Sequence, residues 1–494
     1  MYQSFIGLEV HIHLLTKTKI FCSCRAAYGD EPNTNICPVC MGYPGVLPAL
    51  NKEALRMAAL VSRALNCTIA EKTWFDRKQY FYPDMPKNYQ ITQFASPIGT
   101  KGFMEIESRG GLKKIRIKEC HLEEDAGKMI HAGNVSLIDY NRAGISLLEI
   151  VTEPDFEVGE EAEIFLQQLR RTLRYLEVCD GNMEEGSMRA DANVSINLRG
   201  AGLGNKVEIK NLNSSRFVRL GLDYEIERQR ALVEKGETIV QETRLWNENR
   251  DQTESMRSKE NSHDYRYFPE PDLLPFYPDA EFHRAVEAAL VELPFAREKR
   301  LGTEYSLSTV QAALICDEKD LADYYEETVK AAINEGLSKA EASEKVFAWL
   351  SSDVKRIMNR DGMSSSDLAS SKLRSQRLAS LVALVSFGRL SGKNAKQCLE
   401  LILVEDKDPL FIVCEHSWEQ ICNPERISKV VDSVFTSEAA VVESLRAYRA
   451  KGDESRVKAL TAFLTGKVLA ATDGRAEPSI ARLQVESRIG SLGV

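Results

Sequence analysis

The stretch Gly7-Leu8-Glu9-Val10-His11-Ile12-His13 restricts the fold of this chain more than any other. In an extended strand successive side chains point to opposite faces. Leu8, Val10 and Ile12 then form an oily face suited to a core, and Glu9, His11 and His13 line the other. Ordering a carboxylate beside two imidazoles is costly unless they bind a metal or move protons. One such strand alone reads as an edge with a wet outer face. Here the pattern recurs. In Met188 to Ile196 the apolar residues take the even positions, and Arg189, Asp191, Asn193 and Ser195 take the odd ones. Val207-Glu208-Ile209-Lys210 repeats the alternation. Laid side by side in an antiparallel sheet, the three strands make a charged cup backed by a hydrophobic layer.

Glu, Asp and His in such a cup suit a hard divalent cation such as Mg²⁺, with Arg and Lys left to hold phosphate oxygens. His121-Leu122-Glu123-Glu124-Asp125 adds three adjacent acids, which repel one another unless a cation or water intervenes. A second motif concerns sulfur. Cys22-Ser23-Cys24 and Cys37-Pro38-Val39-Cys40 lie twelve residues apart, and two close pairs of thiols match a structural, four-coordinate zinc site. Cys67, Cys120, Cys179, Cys316, Cys398, Cys414 and Cys422 are scattered and read as small core residues.

At 494 residues the chain is too long for one core. No apolar run is long enough to cross a bilayer or to act as a signal peptide, which places the chain in the cytoplasm with reduced thiols. A net charge of −9 excludes wholesale coating of nucleic acid. A local basic stretch remains: Asp353 to Lys396 carries nine Lys or Arg against three Asp, and acids dominate the stretch after it. Such a segment is either a solvated face or a dock for a phosphate backbone.

Strand-like segments alternate with a few helices up to about residue 290. Helices are expected over 51–66, 161–178 and 217–235, the first capped by Asn51 and the last closed by Gly236. Beyond the proline-rich passage 267–278, strand patterns almost vanish. Ser338-Lys339-Ala340-Glu341 and Asn423-Pro424 read as helix starts.

Long segments of the chain resemble the B subunits of the tRNA-dependent amidotransferases: Ile6 to Leu15, Phe21 to Pro48, Asp76 to Gln93, His121 to Lys128, Asp139 to Asp155, Gly181 to Ser195, Lys210 to Val218 and Gln241 to Asp272, with shorter matches at Phe387 to Lys393 and Phe463 to Val468. The resemblance implies an α+β architecture in three parts. A cradle similar to the glutamine synthetase catalytic fold, with an antiparallel sheet, spans 1–292 and carries the cysteine loop at 21–41. An all-α domain spans 293–397, and a small all-α, YqeY-like tail that touches tRNA spans 398–494. It implies that ATP phosphorylates the side-chain carboxylate of misacylated Glu-tRNA(Gln) or Asp-tRNA(Asn), and that ammonia then displaces phosphate. By similarity Glu9, His11, Glu124 and Asp191 bind Mg²⁺, with Glu208 closing the pocket; Glu123 or Asp125 could exchange roles with Glu124. Lys78, Arg189 and Lys210 are candidates for nucleotide phosphate contacts, and Lys393 and Lys467 for tRNA contacts. Cys22, Cys24, Cys37 and Cys40 would hold Zn²⁺. The implied partners are an amidase (glutaminase) and a small third protein, completing a heterotrimer, together with misacylated tRNA; no DNA and no membrane are implied.

His13 departs from the family pattern, standing where glutamine is common. A glutamate-specific paralogue is disfavoured because the chain runs from Pro278 into helical sequence with no room for an extra domain. A non-catalytic RNA-binding scaffold would account for the cysteines and the basic helices, but it gains nothing from ordered carboxylates where phosphates must approach. A third alternative, a small-molecule amide ligase, would consume free glutamate.

Overall fold

The computed structural model describes residues 2–258, 265–421 and 423–492, so Cys422 and part of the segment from Gln241 to Asp272 lie outside the described residues. The chain divides into two compact units, Met1–Ala296 and Arg297–Val494.

The first unit is framed by strands β1 (Tyr2–His13), β2 (Thr68–Ile69), β3 (Asp76–Gln79), β4 (Tyr89–Thr92), β5 (Gly99–Ser108), β6 (Gly111–Glu124), β7 (Lys128–Ala132), β8 (Val135–Asp139) and β9 (Ser146–Thr152). It continues through β10 (Met188–Leu198), β11 (Val207–Lys210), β12 (Glu242–Asn247), β13 (Gln252–Ser258) and β14 (Phe268–Pro269). Twelve of these make one sheet, in the order β13-β12-β11-β10-β1-β9-β6-β4-β3-β14, with β5 on β6 and β2 on β5; β7 and β8 form a separate hairpin. The pairings are antiparallel except for β11 with β12.

Alternation decides which face is core. Ile6, Leu8, Val10 and Ile12 of β1 and Met188, Ala190, Ala192, Val194 and Ile196 of β10 are all buried in one apolar cluster. Helices α1 (Lys52–Ala64), α2 (Gly159–Tyr175) and α3 (Ser215–Glu234) contribute their buried stripes to the same cluster. The Asn51 carboxamide accepts from the Glu53 amide at 3.0 Å, and the Ser214 hydroxyl accepts from the Phe217 amide at 3.1 Å, starting α1 and α3 where free amides would otherwise lack partners. Phe165, Leu169 and Leu173, spaced four residues apart, form the stripe that seats α2. The helices therefore cover one side of the sheet, and the odd-numbered side chains of β1 and β10 belong to the other.

Among its described residues the second unit is helical apart from isolated bridges. The α+β order read from the sequence is the one observed. Ser338 and Asn423 cap the helices Lys339–Trp349 and Pro424–Ser437. The unit holds two apolar cores, one running from Leu301 to Val413 and one from Ile427 to Ile489. The boundary expected at 397/398 falls inside the helix Gly392–Glu405, whose Ala395, Cys398, Leu399 and Ile402 are buried in the first core. Apolar packing thus carries the first core past that point.

Three of the nine basic residues of the stretch are met by acids that follow it. Arg356 and Arg360 pair with Glu400 at 3.0 and 2.8 Å, and Arg377 pairs with Asp406 and Asp408 at 2.5 and 2.8 Å. Cys414 is exposed, unlike the core cysteines at 67, 120, 179, 316 and 398, because the short helix Pro409–Glu415 buries the face that carries Pro409, Ile412 and Val413. No helix among the described residues is long and apolar enough to cross a membrane.

Candidate functional site

The register of the sheet builds a row of polar side chains across four strands. His121 on β6 is opposite Glu149 on β9, Glu149 is opposite His11 on β1, and His11 is opposite Arg189 on β10. Neighbouring strands lie about 4.8 Å apart, which puts cross-strand side chains within reach of one cation. Glu149 Oε2 lies 3.0 Å from His121 Nε2 and 3.4 Å from His11 Nε2. Glu123, two residues beyond His121 on β6, brings its Oε1 to 3.8 Å from His11 Nε2. One ligand atom from each of His11, Glu123 and Glu149 lies within 4.8 Å of the others.

Electrostatics fit a cation here. Burial pushes the His11 imidazole down, but its hydrogen bond to Glu149 and the charges of Glu149 and Glu123 outweigh this and raise it to about 9. Burial likewise works against ionised Glu149, and the two imidazoles more than offset it, holding this carboxyl well below the usual range. Glu123 moves the other way, raised by burial and by the facing charge of Glu149. One buried and one half-buried carboxylate with an imidazole at this spacing could hold Mg²⁺ or Mn²⁺.

The acid triplet divides three ways. Glu123 shares the polar face with His121. Glu124 lies on the core side with Cys120 and Leu122, where Lys87 Nζ donates to its Oε2 at 2.6 Å and the Ile91 amide donates to its Oε1 at 2.9 Å. Asp125 follows the strand's end, with its Oδ2 2.7 Å from His13 Nε2, 2.9 Å from Arg189 Nη2 and 3.3 Å from Arg142 Nε. Burial opposes its charge, yet Arg189, Arg142 and His13 together hold the Asp125 carboxyl far below its ordinary value. His13, the departure from the family pattern, is thus a partner of Asp125.

Glu124, expected among the ligands, is therefore not brought to the cluster, because strand parity turns it inward. Glu9 and Asp191 are on the correct face but in the next row. Positions i and i+2 of a strand are about 6.8 Å apart, so Glu9 does not converge with His11. Its Oε1 accepts from the Asn193 side-chain amide at 2.9 Å. Asp191 Oδ2 and Glu208 Oε1 lie 2.7 and 3.1 Å from Lys210 Nζ, so Lys210 bridges two acids in the structure. Burial alone would lower its pKa, but Asp191 and Glu208 raise it above the ordinary lysine value.

Lys78 and Arg189 join His11, Glu123, Asp125 and Asp191 in lining a pocket of about 310 Å³. The Lys78 amine stands 5.0 Å from the centre of the Tyr265 ring. Burial lowers its pKa, and Glu123, Tyr267 and Tyr265 raise it by more. Buried Arg189 Nε has no hydrogen-bond partner among the described residues, an unmet donor in a pocket suited to an anion. Glu9 lines a second pocket, of about 450 Å³, with Asn193, Ser195 and Lys206.

Glu149 and His121 are absent from the ligands expected on sequence grounds. Glu149 is a lone acid in the run Leu147-Leu148-Glu149-Ile150-Val151, and that isolation is the available signal, since a charge within a buried strand needs a partner. Elsewhere, one sulfur from each of Cys22, Cys24, Cys37 and Cys40 lies within 4.8 Å of the others, and Cys37 and Cys40 Sγ are 3.9 Å apart. Tetrahedral zinc with bonds of about 2.3 Å places its sulfurs about 3.8 Å apart, so the set fits. In the second unit Lys467 is paired with Glu438 at 2.7 Å, and Lys393 is the second residue of the helix Gly392–Glu405.

Imidazole and paired carboxylates beside lysine and arginine, on one face of a sheet, make a class of site that could hold a divalent cation and phosphate oxygens. Residues 4–284 match the family described as the GatB/GatE catalytic domain, and residues 323–489 match the GatB domain. The chain is 42% identical over 497 residues to the B subunit of the aspartyl/glutamyl-tRNA(Asn/Gln) amidotransferase of Carboxydothermus hydrogenoformans, covering 99% of both chains. It is 44% identical over 481 residues to the protein of that name from Thermoanaerobacter pseudethanolicus, covering 97% of both. To that of Acaryochloris marina it is 43% identical, covering 97% of this chain and 95% of the relative. The chain belongs to the GatB/GatE family.

Proposed function

We propose that this chain is the activating subunit of a glutamine-dependent tRNA amidotransferase, acting on Glu-tRNA(Gln), Asp-tRNA(Asn) or both. The observation that carries the reading is the His11–Glu123–Glu149 cluster beside Lys78 and the unmet Arg189 donor, in a chain of this family. A side-chain carboxylate oxygen of the misacylated residue attacks the γ-phosphorus of ATP, the bond to the bridging oxygen breaks, and ADP leaves. Ammonia then attacks the acyl carbon, the bond to phosphate breaks, and a proton departs from nitrogen to leave the amide. Phosphoryl transfer of this kind needs positioning and charge neutralisation more than covalent help.

His11, Glu123 and Glu149 would hold Mg²⁺, which when bound neutralises phosphate oxygens. Arg189, fixed by Asp125, and Lys78 orient the phosphates. Glu9 and Asp191 form the neighbouring row, and Lys210 is the shared counter-ion of Asp191 and of Glu208, which lies opposite Asn193. Ammonia reaches the cradle from a partner amidase, and a small third protein braces the pair. tRNA is held through surfaces near Lys393, in the helix Gly392–Glu405, and near Lys467 in the tail. Zn²⁺ on Cys22, Cys24, Cys37 and Cys40 ties the cysteine loop together. Protein purified without chelator is expected to release one zinc per chain on denaturation, measured with a chromophoric chelator, and Cys37→Ala to release none. One zinc from Cys37→Ala would place the metal elsewhere.

The test is reconstitution with candidate amidase and small partner proteins, glutamine, ATP and each misacylated tRNA. ATP turnover is expected to require both Mg²⁺ and misacylated tRNA. Equal turnover with uncharged tRNA, or amidation of free glutamate, refutes the reading. Truncation after residue 420, between the two apolar cores, is expected to weaken tRNA affinity at least tenfold in filter binding while the cradle keeps its circular dichroism. Unchanged affinity would remove the tail from tRNA recognition.

A further inference from the structure

Lys19 is fully buried, a position a lysine rarely occupies without an acceptor or a negative charge. Its Nζ donates to the Tyr140 carbonyl at 3.2 Å and lies 3.8 Å from Cys40 Sγ. A side chain at Gly144 would meet the Lys19 stem at 3.5 Å and Cys40 Cβ at 3.6 Å, so the lysine, the cysteine and the loop 140–145 occupy one packed junction. Four thiolates around Zn²⁺ carry two excess negative charges, which supplies a reason for burying an amine there.

The same loop is gripped by the cysteine segment at a second place. Asn33 donates from its backbone to Asp139 Oδ1 at 3.0 Å and from its side chain to the Ile138 carbonyl at 3.0 Å, and it accepts from the Tyr140 amide at 2.8 Å. The Asn35 amide donates to Asn141 Oδ1 at 2.7 Å, and Asn141 Nδ2 donates to the Glu31 carbonyl at 2.7 Å. On its other side the loop holds the end of β6. The Gly144 amide donates to the Asp125 carbonyl at 2.9 Å, and the Asp125 amide donates to the Ile145 carbonyl at 3.0 Å. Arg142 donates to the carbonyls of Ala126 and Gly127 at 2.9 and 2.8 Å. Asp125 in turn holds Arg189.

We propose that Lys19 and Asn33 are positioning residues that couple metal occupancy of the four-cysteine cluster to the placement of Asp125 and Arg189 in the pocket. The zinc loop is then more than a local staple. With the metal bound, Lys19 and Asn33 clamp the loop 140–145, and that loop fixes the carboxylate that aims Arg189. The inference rests on the zinc and phosphate readings above, and its primary readout is independent of catalysis.

The experiment is hydrogen–deuterium exchange on the full chain, with zinc bound and after chelation, beside zinc-competition measurements. Stripping zinc is expected to speed exchange at least tenfold in 125–127 and 140–145 while α2 and α3 stay protected. Lys19→Met keeps the aliphatic stem and removes the amine; it is expected to lose zinc to a competing chelator about tenfold more readily, the lower end of the effect of removing a metal's outer partners. Asn33 has a φ of 61°, a conformation glycine adopts freely, so Asn33→Gly removes the amide without straining the turn. That variant is expected to retain zinc yet exchange faster at 138–145 and show a raised KM for ATP. Unchanged exchange at 125–127 and 140–145 after chelation, or faster exchange spread over the whole cradle, overturns the coupling. Wild-type zinc retention in Lys19→Met overturns that residue's assignment. If coupling fails while Mg²⁺- and tRNA-dependent ATP turnover persists, the inference falls and the proposed function stands.

Discussion

Glu149→Gln is expected to lower Mg²⁺-dependent ATP turnover at least about 100-fold, a loss of the several kcal/mol that a bound cation contributes to developing phosphate charge. Glu149 is the one acid of the row, between His11 and His121, and the substitution keeps its shape while removing a charged ligand. A binding measurement separates metal loss from misfolding. Mg²⁺ binding the folded state at 100 times its Kd stabilises it by about 2.7 kcal/mol. The wild-type cradle should show that gain in urea titrations, and Glu149→Gln should not, while its circular dichroism without Mg²⁺ stays native. A variant that still gains full stability from Mg²⁺ would move the cation site to the Glu9–Asp191 row.

Glu124 carries the second large expectation, and it runs opposite to the first. Its carboxylate is buried, held by buried Lys87 and the Ile91 amide. Removing one member of such a pair strands the other's charge and costs about 3–5 kcal/mol. Glu124→Ala and Lys87→Met should each destabilise the cradle by that amount in urea unfolding, with the response to Mg²⁺ retained in whatever remains folded. The double variant Glu124→Leu/Lys87→Met should recover much of the loss, since a buried pair replaced by apolar groups is often neutral. If Glu124→Gln instead leaves stability intact and abolishes the Mg²⁺ response, Glu124 is the ligand and the strand's facing has been misassigned.

These two residues also mark how far the sequence can be read. Alternation in Glu9–His13, Met188–Ile196 and Val207–Lys210 is enough to assign faces, because a two-residue period survives any long-range arrangement. It is enough in principle for the triplet as well. Glu124 shares parity with Leu122, and Glu123 with His121, which separates the core-facing acid from the pocket-facing one. Register is not legible. Which residue of Ser146–Thr152 lies opposite His11 depends on pairing across more than a hundred residues, and nothing local records it. Glu149 is hidden further by Leu147, Leu148 and Ile150, buried on both faces. Lys87 and Lys19 leave no local pattern, since their partners come from distant segments. The basic stretch illustrates the opposite hazard: composition marks 353–396 as a positive surface, but folding places Glu400, Asp406 and Asp408 against Arg356, Arg360 and Arg377.

The row across four strands has a consequence for synthesis. Its members sit at 11, 121, 149 and 189, and β10 is the strand that closes it. A nascent chain on the ribosome therefore holds no complete site until Arg189 has emerged, and β1, made first, must wait with one edge bare for its last partner. Pairing over such separations is slow, and an unpaired strand edge invites aggregation. The first strand is where a chaperone would have most to protect.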